Sequence, residues 1–365
     1  MRILMLASEA FGGYGGIARF NRDFAAALAA RGDVGRIDLL PRVALDREGT
    51  PGGVVQHPPR RGRAAYSLAA TRLAAERPDV VVNAHLYHSP LSRLLARVTG
   101  AHLVSVLHGT EVWGALPIRL LRPLAASDAV LCVSRDTETR ILTAAPALAG
   151  RTAVTYNTVG MRFRPGDRDA ARMRFGVGHA FVVLTVARLD TRKREDGRFY
   201  KGHDRIIPVL KALPVDRHVL YLVAGTGGDR PRLEALARAT GVADQVRFLG
   251  KVDDADLPDL YRAADLFVLP STGEGFGIVY LEAMASGVPA IGLDVGGAPD
   301  ALSAHPLGMA VPPEDFEAGF KRAAAAATAL THEERGILSQ AVHDRFGEAA
   351  FRMRVDRIVE KLYRK

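Results

Sequence analysis

Short apolar runs of four to six residues recur along the chain. Each is followed by a longer stretch in which apolar residues return every three or four positions. A brief continuous apolar run fits a strand buried on both faces, and the 3–4 spacing fits an amphipathic helix. This assigns strands to Arg2–Ala7, Arg36–Leu40, Val80–Ala84, Leu103–Leu107 and Ala129–Val133. A helix is assigned to Gly16–Ala30, where Ile17, Phe20, Phe24 and Leu28 share one face. The rhythm lapses over Tyr156–Arg168, where Pro and Gly enter, and an interdomain linker is placed there. It resumes with strands at Phe181–Val186, Val219–Ala224, Val246–Leu249, Leu266–Pro270 and Ala290–Leu293. Ala323–Ala327 reads as a helix surface, and Glu348–Tyr363 as a last helix. Strand–helix alternation predicts an α/β protein of two doubly wound parallel sheets, with a ligand cleft between their facing strand ends.

Length and composition refine this picture. The 365 residues suffice for two domains, and 48% hydrophobic with 24% charged residues excludes a disordered chain. The lone Cys132 excludes a disulfide framework and fits a reducing, cytoplasmic setting. No run approaches 18 uncharged apolar residues, so no membrane span is expected. The net charge of +9 is unevenly placed. Residues 1–165 hold 21 Arg, no Lys and 12 acids, whereas the rest is balanced. That excess suggests an anionic partner.

The densest chemistry lies in PSTGEGFGIVYLEAMASGVPAI, Pro270–Ile291. A strand ends, a Gly-rich turn follows, and a helix starts near Phe276, which suits close backbone approach to a phosphate. Glu274 and Glu282 form E-x7-E, one in the loop and one about two turns into the helix; carboxylates so placed can hold ribose or sugar hydroxyls. Arg188 closes a strand in VARL, and Lys201 precedes a glycine in YKGHD; both could neutralise growing negative charge. Lys193, in the charged insertion 189–200, is a rival for that role. Gly13–Ala18 reads G-x-G-x-x-A after the first strand, a dinucleotide fingerprint if Asp38 supplies the acid. His108 ends a strand, as do His85 and His88 in NAHLYHSP; a ligand contact and a buried structural role both fit. Asp254 and Asp256 form a D-x-D, read as a helix cap and not a metal site.

The Pro270–Ile291 string, with Arg188, Lys201 and His108 in order, resembles the family-4 retaining glycosyltransferases of the GT-B fold, two Rossmann-like domains facing a central cleft. The resemblance covers nearly the whole chain. It implies domains at 1–160 on the acceptor side, joined by helix 348–365, and 161–347 on the nucleotide-sugar donor side. It assigns Glu282 to the donor ribose, and Glu274 and His108 to the transferred sugar. Gly275, Phe276, Gly277 and Ile278 meet the diphosphate and sugar, and Arg188 and Lys201 stabilise the leaving diphosphate. Gly15, Gly16, Gly225, Lys251 and Val252 complete the donor site, and His85 and His88 touch acceptor. Asp300 stands where the family usually has Glu, and Asn157–Gly160 where it has an Asn-Gly turn.

The implied activity is metal-independent, retaining transfer of a hexose from a nucleoside-diphosphate sugar to a saccharide acceptor, without a cofactor. YKGHD and its preceding loop lean by resemblance toward GDP-mannose. The basic N-terminal half, with Arg119 and Arg122 among the apolar residues of Pro117–Leu124 and three arginines in Pro59–Arg63, predicts peripheral attachment to the anionic inner face of the plasma membrane and a lipid-linked acceptor. Nucleic acid is not expected, since no recognition module is present. The alternatives are a nicotinamide-dependent oxidoreductase using Gly13–Ala18, or a non-catalytic nucleotide-sugar-binding subunit.

Overall fold

The computed structural model describes residues 1–46, 48–192 and 199–363. The chain divides into two compact units. Unit 1 is Met1–Thr158 with the C-terminal segment from Ala349, and unit 2 is Val159–Glu348.

Unit 1 holds seven parallel strands: β1 (Arg2–Ala7), β2 (Arg36–Pro41), β3 (Val54–Gln56), β4 (Val80–Asn83), β5 (His102–Leu107), β6 (Ala129–Cys132) and β7 (Thr152–Val154). Their order is β3-β2-β1-β4-β5-β6-β7, so the chain reverses its direction of sheet growth between β1 and β4. The helix Gly16–Ala29 buries Phe20, Phe24 and Leu28, three of the four residues on its apolar stripe. The helix Glu348–Tyr363 packs on this unit: Phe351 meets Phe20 edge-on at 5.8 Å, and Lys361 donates to the Gly150 carbonyl at 2.9 Å.

Unit 2 holds six parallel strands: β8 (Phe181–Val186), β9 (Val219–Ala224), β10 (Val246–Gly250), β11 (Leu266–Leu269), β12 (Ala290–Leu293) and β13 (Gly308–Val311). Their order, β10-β9-β8-β11-β12-β13, puts the reversal between β8 and β11. Its core runs through Phe181, Val183, Tyr221, Val268, Ile291 and Phe320. A crevice opens at the carboxyl ends of strands where such an order reverses.

Three strands, β3, β7 and β13, escaped the periodicity because each has only three or four residues at or next to a sheet edge, too short for alternation to register. The Ala323–Ala327 surface is also corrected. Ala323, Ala324 and Ala327 of the helix Phe316–Thr328 lie in the core, because alanine lets the helix approach the sheet closely.

Candidate functional site

In unit 2, Arg188, Lys201 and Glu274 follow the strands that meet at the switch point, β8 and β11. Arg188 stands two residues beyond β8, exposed to solvent. Its loop is zipped to the loop after β9: the Ala187 amide donates to the Ala224 carbonyl at 3.0 Å, and the Leu189 amide to the Thr226 carbonyl at 2.9 Å. Gly225 allows this, with φ at 144°; a β-carbon there would lie 1.9 Å from the Ala187 carbonyl oxygen. Lys201 also follows β8, just before the short helix His203–Ile206, and its Nζ donates to Glu274 Oε1 at 2.6 Å. The Glu274 loop is held from two sides. The Thr272 amide donates to the Tyr200 carbonyl at 2.9 Å, and the Gly297 amide to the Glu274 carbonyl at 2.8 Å. The Tyr200 ring lies beside these groups, with Lys201 Nζ 5.1 Å and Arg192 5.2 Å from its centre. Burial, reinforced by the Glu274 charge, holds its phenol well above the ordinary tyrosine range.

Gly275 and Phe276 lead into the helix Ile278–Ala285, capped by Gly277; the Tyr280 amide turns back to the Gly277 carbonyl at 3.1 Å, and the Ile278 and Val279 amides ahead of it have no intrahelical acceptor. Phe276 is buried against Phe346 at 5.7 Å. Glu282 sits just over one turn into this helix, not two, because the helix starts at Ile278. It is buried, and its Oε2 accepts from the Tyr261 hydroxyl at 2.9 Å. Lys251 and Val252 follow the edge strand β10, two strands from β8 and on its far side from β11, so they lie apart from the Lys201–Glu274 pair. Asp300 is buried in the first turn of the helix Ala298–Leu302. Lys193 lies outside the described residues, as does half of the charged insertion. Asp256 occupies a helix N-cap position, yet its side chain makes no cap bond and pairs with Arg174 instead.

In unit 1 three histidines gather at the carboxyl ends of β4 and β5. His108 is buried; its Nε2 meets the Ala84 carbonyl at 2.9 Å, and its amide donates to Glu111 Oε1 at 2.6 Å. A carbonyl only accepts, so Nε2 carries the proton and Nδ1 keeps a lone pair. Burial pushes the His108 imidazole down to about 4 and that of His88 to about 3; burial lowers His85 as well. All three are therefore neutral at pH 7. His85 and His108 rings lie 6.1 Å apart, and His88 stacks on Tyr66 at 5.0 Å with its buried Nε2 unpartnered. Gly15, with φ at 89°, caps the helix that Gly16 opens, and nothing lies within 4 Å of where a side chain would start.

Asp38 does not close a dinucleotide site. It lies in the middle of β2, buried, with its carboxylate taken by Arg2 at 2.9 Å, Arg36 at 2.8 Å and His57 at 2.9 Å. Arg2 and Arg36 open β1 and β2 at their amino ends, away from the Gly13–Ala18 turn, and His57 reaches the carboxylate from just past β3; only the sheet register reveals this. In Pro117–Leu124, Leu120 and Leu124 are core residues and Ile118 is exposed, so the apolar surface is smaller than the sequence suggested. Sequence reasoning missed Tyr200, Tyr261 and Gly297. Tyr200 opens the YKGHD string and Gly297 precedes Asp300 by three residues, but their places beside Glu274, and that of Tyr261 beside Glu282, depend on contacts between segments that no local pattern reports.

Family models match both halves: "Glycosyltransferase Family 4" over residues 14–161 and "Glycosyl transferases group 1" over 177–335. Among curated proteins, a D-inositol 3-phosphate glycosyltransferase of Geodermatophilus obscurus is 36% identical over 65% of this chain and 52% of its own length. Another from Catenulispora acidiphila is 31% identical over 77% of this chain and 75% of its own. A GDP-mannose-dependent alpha-(1-6)-phosphatidylinositol monomannoside mannosyltransferase of Mycobacterium tuberculosis is 34% identical over 61% and 60%. The chain thus spans about half the length of the first of these relatives. Among solved structures, Anabaena HepE in complex with UDP superposes with a TM-score of 0.77 at 21% identity, over 99% of this chain and 100% of that one.

Proposed function

This chain belongs to the family-4, group 1 glycosyltransferases and has their GT-B fold, and on that premise we propose that it transfers a hexose from a nucleoside-diphosphate sugar to a saccharide acceptor with retention and without a metal. The observation that carries this reading is the Lys201–Glu274 pair at the β8/β11 switch point, with Arg188 on the neighbouring loop. Breaking the glycosidic bond builds charge on the diphosphate, and fixed cations aimed at that charge lower the barrier. Arg188 and Lys201 are assigned that task, helped by the amides at the Gly277 cap. Glu274 orients the Lys201 ammonium and accepts from sugar hydroxyls. Glu282, stiffened by Tyr261, holds the ribose. By resemblance His108 serves the transferred sugar, its Nδ1 lone pair suiting a hydroxyl donor, and His85 and His88 serve the acceptor. The leaving phosphate oxygen takes the acceptor proton in a front-face attack.

We assign GDP-mannose as donor, supported by the YKGHD resemblance and by the name of the mycobacterial relative. A lipid-linked acceptor, with peripheral membrane attachment, fits a face of unit 1. The adjoining helices Ser89–Thr99 and Ile118–Leu124 expose Arg93, Arg97, Arg119 and Arg122 among exposed Leu94, Val98 and Ile118. Among the described residues no helix is long and apolar enough to cross a membrane.

The deciding experiment is a thermal-shift panel of nucleoside diphosphates, followed by product analysis with the matching sugar donor. GDP stabilises the protein, and GDP-mannose with a saccharide acceptor gives a retained mannoside. Stabilisation by a nicotinamide dinucleotide alone would revive the oxidoreductase, and donor binding without turnover would leave a binding subunit.

A further inference from the structure

At the amino ends of β8 and β11, one buried carboxylate faces more arginines than it can neutralise. Asp265 takes Arg168 at 2.7 Å, Arg172 at 3.2 Å and Arg217 at 3.3 Å. Its Oδ2 also accepts the Val182 amide at 2.8 Å, so both oxygens are fully used. A fourth arginine, Arg335, is half-buried on the same side of the unit: a β-carbon at Gly287 would lie 2.9 Å from Arg335 Cβ and 3.2 Å from Pro165 Cγ, three residues before Arg168. It donates only to the Gly287 carbonyl at 2.9 Å and has no ion pair among the described residues. Burial first, then the Arg168 charge, lower its guanidinium to about 10, which reports an environment short of negative charge.

The four arginines are not equivalent. Arg172 is structural: it donates to the Ala263 and Gly178 carbonyls at 2.9 and 2.8 Å and also to the Ala180 carbonyl. Arg168 adds the Ala264 carbonyl at 2.9 Å. Arg217 has only the carboxylate and the Phe181 ring, 5.5 Å away. Arg217 and Arg335 therefore keep donors that nothing among the described residues uses. The acids next to these arginines along the chain are Asp167, Asp169, Asp216 and Glu334; all are exposed, Asp167 and Glu334 cap helix starts, and no ion pair joins them to the four among the described residues.

We infer that Arg217, Arg335 and Arg168 form an anion site for a phosphate group, either inorganic phosphate or a phosphomonoester. The guanidinium fork matches phosphate oxygens, and a dianion offsets charge that Asp265 leaves over. The site is separate from the leaving-diphosphate position. Val182, whose amide bonds Asp265, is the second residue of β8, and Arg188 lies two residues beyond the strand's far end, past roughly 13 Å of strand. The inference stands whether or not the proposed donor reading holds.

The test is the thermal response to inorganic phosphate and to glucose 6-phosphate in three proteins: the unaltered chain, Arg188→Ala/Lys201→Ala and Arg217→Gln/Arg335→Gln. Binding only to the folded state should raise Tm with the logarithm of ligand concentration, by roughly 5–10 °C at a hundredfold excess over Kd. The rise should persist in Arg188→Ala/Lys201→Ala, which removes the other candidate phosphate site, and vanish in Arg217→Gln/Arg335→Gln. Arg335→Gln alone breaks no ion pair, so it reports even if the double variant fails to fold; it should weaken binding about tenfold, the scale of one charge-assisted hydrogen bond. Tighter binding of glucose 6-phosphate assigns the site to sugar phosphates, and equal binding to free phosphate. No Tm response, a response unchanged by Arg335→Gln, or one lost with Arg188 and Lys201 would each overturn the inference.

Discussion

Gly297→Ala is the sharpest probe of the Glu274 loop, because it adds one methyl group and changes no charge. The residue has φ −86° and ψ −3°, a conformation alanine adopts freely, so backbone strain does not confuse the result. The new carbon would lie 2.1 Å from the Gly275 carbonyl oxygen and 2.9 Å from Phe276 Cα. Relief requires these backbones to part by about 1 Å, since carbon–oxygen contacts settle near 3.3 Å. That motion breaks the 2.8 Å bond from the Gly297 amide to the Glu274 carbonyl and carries Glu274 off Lys201. Overpacking costs about 1–3 kcal/mol and the lost hydrogen bond about 1 kcal/mol, so stability should fall by roughly 2–4 kcal/mol. A misplacement of about 1 Å should cost roughly 10²-fold in kcat/KM. Gly336→Ala is the matched control: nothing lies within 4 Å of that position in the helix His332–Phe346, and stability should rise by about 0.5–1 kcal/mol. Initial rates with the sugar donor and urea titrations read both effects. Wild-type kcat/KM in Gly297→Ala would show that the Glu274 loop is no part of the site.

Other substitutions separate binding from chemistry. Glu282→Ala should raise donor KM more than it lowers kcat, because ribose contacts change little on the way to the transition state; a pure kcat loss would contradict the assignment. Arg188→Ala and Lys201→Ala should each lower kcat by roughly 10²–10³, and a shift confined to KM would remove them from charge stabilisation. Turnover should survive EDTA, whereas complete loss restored by Mg²⁺ or Mn²⁺ would put a divalent ion on the diphosphate. Acid should destabilise unit 1. His88 and His108 titrate near 3 and 4 when folded but near 6.5 when unfolded, so the unfolded chain binds protons first. Their contribution is complete above pH 6.5 and declines by about 1.4 kcal/mol per pH unit for each group as pH falls toward the folded values. His88→Phe keeps the ring on Tyr66 and should flatten that slope between pH 6.5 and 5; an unchanged slope in denaturant titrations would refute the burial argument.

The amino-acid sequence alone determined the architecture, because parallel strands and their helices are written in local periodicity. Strands such as Phe181–Val186 and Val219–Ala224 emerge with the bounds read from their apolar runs. The E-x7-E string was legible for the same reason: its spacing lies within one loop and one helix. Tertiary structure alone decided which charges meet. Asp38 looked available until the register of β1 against β2 set Arg2 and Arg36 on it. Lys201 found Glu274 across 73 residues, and Asp265 gathered arginines up to 97 residues away. The neutrality of His85, His88 and His108 likewise depends on burial that no single segment supplies. Periodicity reports which face of an element is apolar. The partner of a charge, and the dielectric around it, depend on which elements the sheet order places side by side.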